Sequence, residues 1–245
     1  MIKYFIYLFI FATSNLFAIQ VGTFNAPPFS MYEDGENIGM ATEAVRTLLK
    51  ECGIENYNII NYPLARGLAE LDERHIDIYY PYIIENPEEA TNYILIGPIA
   101  RYKIALFVRK DYPHQISFPA MQGLIVGAER GSVSDRLLQA HNIHIEQASQ
   151  PVSCLRMVVA ERVTACAIGS LPGQYSAAIN NLDSELRHAD TGAYADMYVV
   201  LGKSLPNKLI ENIRTTFEHL KEKEYFAKQQ LEYEEKFAVF IKTLS

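Results

Sequence analysis

The sequence predicts an α/β protein of two lobes joined by two crossing strands, with a ligand cleft between the lobes. Gly97–Asp111 has the length and apolar content of one long strand, and Gly97-Pro98 marks its start. Tyr194–Lys203 is a second strand-like run, and strand and helix patterns alternate before and between the two. A chain that leaves one lobe, builds another and returns needs two such crossings. The predicted lobes are 19–104 with 195–245, and 105–194.

The N-terminal segment Met1–Ala18 has the pattern of a signal peptide. Lys3 supplies a positive start, Tyr4–Ala12 is an unbroken apolar run, and Ala18 is a small residue suited to cleavage. A membrane anchor is the alternative, but this run is roughly half of the ~20 residues that span a bilayer. The sequence therefore predicts an exported protein.

Composition and charge narrow the classes of partner. Hydrophobic residues make up 49% of the chain and charged residues 21%, which is typical of a soluble globular protein. The formal net charge of −7 argues against nucleic acid as a partner. Of the three cysteines, Cys154 and Cys166 could form a disulfide after export or remain two buried thiols, and Cys52 lies on the apolar stripe of a helix.

The first lobe is predicted from the alternation of strands and helices. Two prolines in Asn25–Phe29 end the first strand, and Phe29 and Met31 follow on an irregular segment. Apolar residues at helical spacing predict a helix from Gly39 to Glu51. The predicted strands are Ile19–Phe24, Tyr57–Tyr62 and Ile76–Tyr82, and a second helix begins at Pro63. This order favours parallel strands joined by right-handed crossovers.

The second lobe continues the same alternation. Ser132 is a predicted helix N-cap, with Asp135 three residues later in a pattern like a capping box. The predicted strands are Gly123–Ala128, Ile143–Ala148, Val163–Ile168 and a short Leu186–Ala189, with helices between them. After the return strand, helices are predicted from Pro206, from about Lys223 to about Glu232, and in the tail 233–245, which should pack on the first lobe.

Ligands in open α/β sheets bind outside the carboxyl ends of the strands. The positions that this rule selects are 25–31, 62–66, 80–83, 129–132 and 169–170. Arg66, Arg101 and Arg130 could pair with an anion, as could the helix start at Gly131-Ser132, and Glu129 is the one acidic residue at these strand ends. The predicted ligand-binding residues are Asn25, Phe29, Met31, Arg66, Tyr80, Tyr82, Arg101, Arg130, Gly131, Ser132 and Ser170. Each has a purely structural alternative, such as a helix cap, a core aromatic or a surface arginine.

No catalytic, cofactor or metal motif is found in the sequence. Ser170 sits in a Gly-Ser-Leu-Pro-Gly segment, but Ile168 stands where a nucleophile elbow carries its first glycine. His141, His144 and Glu146 have a metal-like spacing but straddle a predicted helix end and strand start, which favours a solvated loop. No P-loop and no GxGxxG is present. The sequence thus predicts a protein without enzymatic activity, cofactor or metal.

Several motifs together resemble the family-3 extracellular solute-binding proteins, which have the type II periplasmic binding protein fold and serve ABC importers. The motifs are Ala26–Ser30 with Gly39, Pro63–Leu68, Gly97-Pro98 leading to Leu106–Lys110, and Gly127 with Gly131-Ser132. The resemblance covers nearly the whole chain after the signal peptide. It implies a monomeric periplasmic protein that traps a small solute by hinge closure and delivers it to an ABC transporter permease.

Two departures from that family bear on the ligand. Members that bind α-amino acids carry an arginine just after the third strand and an aspartate near the strand that precedes Gly169 and Ser170. In this chain 86–92 lacks the arginine, and Gly169 and Ser170 stand where the aspartate is expected. The residues at the strand ends predict an anionic or zwitterionic ligand. The alternatives are a dehydratase of the cyclohexadienyl dehydratase type on the same fold, or a periplasmic sensory module.

Overall fold

The computed structural model describes residues 18 to 244, so the predicted signal peptide lies outside the described residues except for Ala18. None of the helices in this range combines the length and the apolar composition needed to cross a membrane. The strands are β1 (Ile19–Thr23), β2 (Met31–Glu33), β3 (Glu36–Ile38), β4 (Tyr57–Asn61), β5 (Ile78–Ile84), β6 (Ile94–Arg109), β7 (Ile125–Glu129), β8 (His144–Ala148), β9 (Ala165–Gly169) and β10 (Leu186–Leu201). The α-helices are α1 (Met40–Glu51), α2 (Leu64–Asp72), α3 (Val133–Ala140), α4 (Pro151–Val159), α5 (Ser170–Ile179), α6 (Asn207–Glu222) and α7 (Tyr225–Leu244).

Eight strands form one sheet in the order β4-β1-β5-β10-β6-β9-β7-β8. β1 pairs in parallel with β4 and β5, and β7 pairs in parallel with β8 and β9. The two parallel groups are joined by β10 and β6, which run antiparallel to each other and to their neighbours. The predicted parallel strand–helix units therefore occur twice, once on each side of the two long strands.

The second crossing strand is longer than the sequence indicated, and the first begins and ends earlier than predicted at nearly the predicted length. β6 and β10 each have 16 residues, and they pair from Leu186 opposite Arg109 to Leu201 opposite Ile94. The predicted short strand Leu186–Ala189 is the first part of β10, and not a separate element. The polar residues after it form an irregularity in the pairing, where the Thr191 hydroxyl donates to the Ile104 carbonyl oxygen at 2.9 Å.

The apolar core changes along these strands. Ala100 and Met197 pack in a cluster with residues of α1 and α6, whereas Ile104 and Ala195 belong to a cluster beside β7. The predicted lobe boundaries at 104/105 and 194/195 lie in this part of β6 and β10. The division into lobes at those residues stays a prediction.

Two local structures differ from the sequence-based expectation. The segment after Phe29 includes a β-hairpin of β2 and β3, whose turn is Asp34-Gly35. The two predicted C-terminal helical segments form one helix, α7, of 20 residues. α7 packs on the first lobe as predicted, but it also contacts α5, where the Tyr175 ring lies 6.1 Å from that of Phe237 and 6.2 Å from that of Phe240.

Cys154 and Cys166 form a disulfide, which resolves the alternative that the sequence left open. The bond joins α4 to β9, with 5.8 Å between the Cα atoms. Cys52 is a free thiol at the end of α1, and its burial raises its pKa.

Candidate functional site

A cavity of about 440 Å³ lies between the two parallel groups of strands, at the edge that the sequence analysis selected. Phe24 to Pro27 follow β1 on one side, and Glu129 to Ser132 connect β7 to α3 on the other. The end of β5 and the loop after it supply Pro81 to Glu85. The volume lies in the range of ~300–1,000 Å³ that is typical of small-molecule sites.

The structure divides the predicted ligand-binding residues into two sets. Five of them line the cavity, namely Asn25, Tyr82, Arg130, Gly131 and Ser132. The other six lie outside its lining, namely Phe29, Met31, Arg66, Tyr80, Arg101 and Ser170. A direct role for the first five stays a prediction, and the contacts of the others show what they do instead.

The predicted stacking residues Phe29 and Tyr80 belong to the core. Tyr80 is 0% exposed, and its hydroxyl donates to Thr42 Oγ1 at 3.1 Å. Phe29 is 2% exposed and its ring lies 5.7 Å from that of Tyr102, so it supports a cavity residue from behind. Successive side chains of a strand point to opposite faces, and it is Tyr79, not Tyr80, that lines the cavity.

Arg66 and Arg101 are tied to carboxylates and lie away from the cavity. The Arg66 side chain is 66% exposed, and its Nε lies 2.6 Å from Glu70 Oε1 one helical turn away. Arg101 Nε lies 3.2 Å from Asp196 Oδ1, and its guanidinium sits 4.1 Å from the centroid of the Tyr194 ring. Neither arginine is placed to pair with a ligand in this cavity.

The two other residues outside the lining have local roles. Met31 opens the β2–β3 hairpin. Ser170 is the first residue of α5, and its hydroxyl accepts a hydrogen bond from Gln174 Nε2 at 3.3 Å.

The start of α3 has the predicted N-cap, and the Asp135 carboxylate occupies the N-terminal end of this helix. Ser132 Oγ accepts a hydrogen bond from the Asp135 N–H at 3.1 Å. In return, Asp135 Oδ2 accepts from the Gly131 N–H at 2.9 Å and from Gln147 Nε2 at 3.0 Å. Asp135 is 3% exposed, so a buried carboxylate of the protein already occupies the position where an anionic ligand was expected.

Glu129 is an ionisable side chain of the cavity that the sequence analysis placed at a strand end but did not include among the predicted ligand-binding residues. It ends β7 and lines the cavity, and none of the side chains that the structure describes donates a hydrogen bond to its carboxylate. Removal from water raises the pKa of Glu129 to about 7. The signal in the sequence was its position at a strand end, but the burial that shifts its pKa is visible only in the folded cavity.

Tyr102 and Arg136 also line the cavity and were not predicted. The Tyr102 hydroxyl accepts a hydrogen bond from the Gly169 N–H at 3.1 Å, and burial raises the pKa of this phenol well above its usual value. Tyr102 therefore stays a neutral hydroxyl. The close approach of the Tyr102 ring to the backbone of residue 169 requires a glycine there, because a Cβ on residue 169 would lie 2.2 Å from the ring.

Side-chain contacts bridge the two predicted lobes, among them hydrogen bonds of Arg136 and Tyr175. Arg136 of α3 lies 3.0 Å from Glu85 Oε2 in the loop after β5, and it also donates to the Gly131 carbonyl oxygen at 3.2 Å. The Tyr175 hydroxyl of α5 donates to Glu33 Oε1 of β2 at 3.2 Å. The contact of Arg136 with Glu85 joins the two walls of the cavity in this conformation, and that of Tyr175 with Glu33 lies outside its lining.

No protein-family model matches the chain, and no curated protein matches it by sequence. Solved structures do. A histidine kinase sensor domain with similarity to periplasmic binding proteins superposes with a TM-score of 0.77 at 16% identity, over 88% of this chain and 95% of its own. The GluR0 ligand-binding core in complex with L-glutamate gives a TM-score of 0.77 at 17% identity, over 89% and 99%.

A third similar structure is the ancestral amino acid-binding protein AncCDT-1, a precursor of cyclohexadienyl dehydratase. It gives a TM-score of 0.73 at 18% identity, over 88% of this chain and 94% of its own. Similarity at this level of identity establishes the fold. The chain has the two-lobed α/β fold of the type II periplasmic binding proteins, which confirms the predicted fold class.

Proposed function

We propose that this chain is a solute-binding protein that captures a small molecule in the cavity between its lobes and closes around it. The observation that carries the proposal is the cavity itself, which lies where the strand ends of both lobes face each other. Two long strands connect the lobes, so closure would occur as a hinge motion about β6 and β10. The contacts of Arg136 with Glu85 and of Tyr175 with Glu33 would form as the lobes meet.

The finer assignment is a monomeric periplasmic protein of family-3 type that serves an ABC importer and has no enzymatic activity. It is supported by the signal-peptide pattern of residues 1–18 and by the motifs that resemble that family. Similar structures such as the GluR0 ligand-binding core, which is in complex with L-glutamate, support the small-molecule part of this assignment.

The cavity alters the expected charge of the ligand. The anionic preference depended on Arg66, Arg101 and the start of α3, and the contacts of these groups remove that basis. Arg130 and Arg136 line the cavity together with the acidic Glu85 and Glu129. Of the two predicted classes, a zwitterion fits this mixture better than a plain anion.

A thermal-shift screen of amino acids, small organic acids, amines and short peptides tests the proposal. Binding to the folded state alone adds RT ln(1 + [L]/Kd), about 2.7 kcal/mol at a hundredfold excess of ligand over Kd. Small-angle scattering should then show a more compact particle with the ligand that raises the melting temperature. Unchanged scattering with every stabilising ligand would contradict hinge closure.

A matched pair of variants locates the ligand. Ser176 lines the cavity, so Ser176→Phe should fill it and abolish the thermal shift. Thr215 is exposed on α6, so Thr215→Phe should bind as the parent does. Equal binding by both variants would show that the ligand sits elsewhere.

A second candidate function is a dehydratase on the same fold, and Glu129 is the observation that favours it. A carboxyl group with a pKa of about 7 inside a cleft can act as a general acid. With prephenate as substrate, the ring would lose carbon dioxide and a hydroxyl group, the latter leaving as water after protonation by Glu129, to give phenylpyruvate. Formation of phenylpyruvate by the parent and not by Glu129→Gln would establish this activity, and its absence with the parent would exclude it.

A further inference from the structure

One carboxylate of the cavity, that of Glu129, has no hydrogen-bond or ion-pair partner among the described side chains, and its position suggests a role in binding a ligand. Glu129 lies at the carboxyl end of β7, where its backbone oxygen accepts the Ser132 N–H at 3.1 Å and fixes the turn into α3. Its side chain lines the cavity, and in the described part of the chain, in which the side chains of residues 64, 65, 242 and 244 are not described, no hydrogen bond or ion pair reaches its carboxylate. A desolvated carboxylate without a donor is unfavourable in the empty protein and gains most from a ligand that brings one.

The arginines of the same cavity are already engaged. Arg136 contacts the Glu85 carboxylate and two backbone carbonyl oxygens, those of Gly131 and Ile83. Arg130 Nε donates to Gln147 Oε1 at 2.9 Å. With Glu129 ionised, the lining carries two basic side chains, Arg130 and Arg136, and three acidic ones, Glu85, Glu89 and Glu129, so its net charge is −1 (2 − 3).

Aromatic rings supply part of the apolar wall. Phe24, Tyr79, Tyr82 and Tyr102 line the cavity, and the rings of Phe24 and Tyr79 are stacked with 6.3 Å between their centroids. The faces of such rings attract cations, and recognition by several aromatic side chains together with a carboxylate suits an organic ammonium ion. The net charge of −7 for the whole chain favours the approach of a cation.

We propose that the cavity selects a small ligand that carries a protonated amine on an apolar or aromatic body, and that the Glu129 carboxylate accepts the hydrogen bonds of that amine. This inference rests on the proposed solute-binding function and names the ligand class of its site. Zwitterions that present an ammonium group belong to this class. Plain carboxylates do not.

Three probes of nearly equal size and different charge test the proposal, namely phenethylamine, phenethyl alcohol and hydrocinnamate. Calorimetry at pH 8, where Glu129 is ionised and the amine is still protonated, should show phenethylamine binding at least about tenfold more tightly than the other two. Glu129→Gln should weaken phenethylamine by about ten- to a hundredfold and leave phenethyl alcohol unchanged. Glu89→Gln is the matched control, since Glu89 also lines the cavity but accepts a hydrogen bond from Asn86 Nδ2 at 3.1 Å.

The outcomes separate this inference from the function on which it rests. Tightest binding of hydrocinnamate, or equal loss with Glu89→Gln and Glu129→Gln, would overturn the role of Glu129. A ligand from the broader screen that closes the lobes and binds Glu129→Gln as tightly as the parent would overturn it while the solute-binding function stands. Absence of binding by all three probes at millimolar concentration would overturn the ligand class, and absence of any ligand in the broader screen would overturn the function as well.

Discussion

Removing the disulfide between Cys154 and Cys166 should destabilise the second lobe by an amount that can be calculated from its loop. The bond closes a loop with a sequence separation of 12 residues. In the chain-entropy model such a cross-link restricts the unfolded chain and stabilises the fold by about 3 kcal/mol at 25 °C. For a chain of this size the melting temperature should fall by roughly 6–12 °C on reduction.

The comparison must keep packing constant. Cys154 and Cys166 are both 0% exposed, so a reductant cannot reach them in the native state. The bond should therefore be reduced in denaturant and the protein refolded with the reductant present. The double variant with alanine at both positions should lose more stability than reduction alone, because it also removes two buried sulfur atoms. Cys52→Ala is the control, since it removes the free thiol and leaves the bond.

Thermal unfolding followed by circular dichroism measures the effect. If the two lobes unfold separately, only the transition of the lobe that contains α4 and β9 should move. Coincident melting curves for the oxidised and the reduced refolded protein would refute the reasoning, because a loop of this length cannot be closed without restricting the unfolded chain.

Three further predictions concern the cleft. The side chains of the Arg136–Glu85 pair are partly exposed, 46% and 25%, so the pair should contribute roughly 0.2–1 kcal/mol to closure. A double-mutant cycle with Arg136→Gln and Glu85→Gln, read by scattering, should therefore shift the ratio of closed to open protein at most about fivefold. Gly67→Ala, normally stabilising in a helix, should destabilise by ~1–3 kcal/mol in urea titration, because a Cβ would lie 2.1 Å from the Tyr79 ring. Burial raises the pKa of Glu129 from 4.5 to about 7, so its contribution to stability is full below pH 4.5 and is lost as the pH rises through 7. The Glu129→Gln variant should therefore be as stable as the parent at low pH and more stable above pH 7, by at most roughly 3 kcal/mol.

The parts of the fold that follow local periodicity were predictable. The helix of 40–51 and the strands around it come from apolar spacing that the sequence displays directly. The cleft edge follows from the rule for strand ends, and Ser132 caps α3 as its spacing to Asp135 predicted. The continuity of β10 was not predictable in the same way, because the irregular segment between Asp190 and Tyr194 has the polar composition of a loop. The Thr191 hydroxyl donates to the Ile104 carbonyl oxygen of the neighbouring strand and accepts from the Ala193 N–H of its own strand, and these two bonds hold the irregular segment in place.

The faces of β5 show why the site was harder to predict than the fold. Tyr79 and Tyr80 are adjacent and nearly identical in exposure, 1% and 0%. Tyr80 packs in the cluster of α1, and Tyr79 packs with Leu71 of α2 on the other side of the sheet. Alternation along a strand says that the two differ, but it does not say which face the cavity adjoins. That depends on which helix covers which face, a property of the whole lobe.

The expected charge of the ligand changed because charged residues were counted by type and not by partner. One error was visible in the sequence, since Arg66 and Glu70 have the spacing of a helical ion pair. The other was not, because Arg101 meets Asp196 only through the pairing of β6 with β10, 95 residues apart. A group that is already paired contributes little further attraction to a ligand, so the sign of a site is set by what remains unpaired. In this cavity Glu129 is the carboxylate that no described side chain pairs, and the lining carries three acidic and two basic side chains when it is ionised, which is the basis for proposing a cation and not an anion as the ligand.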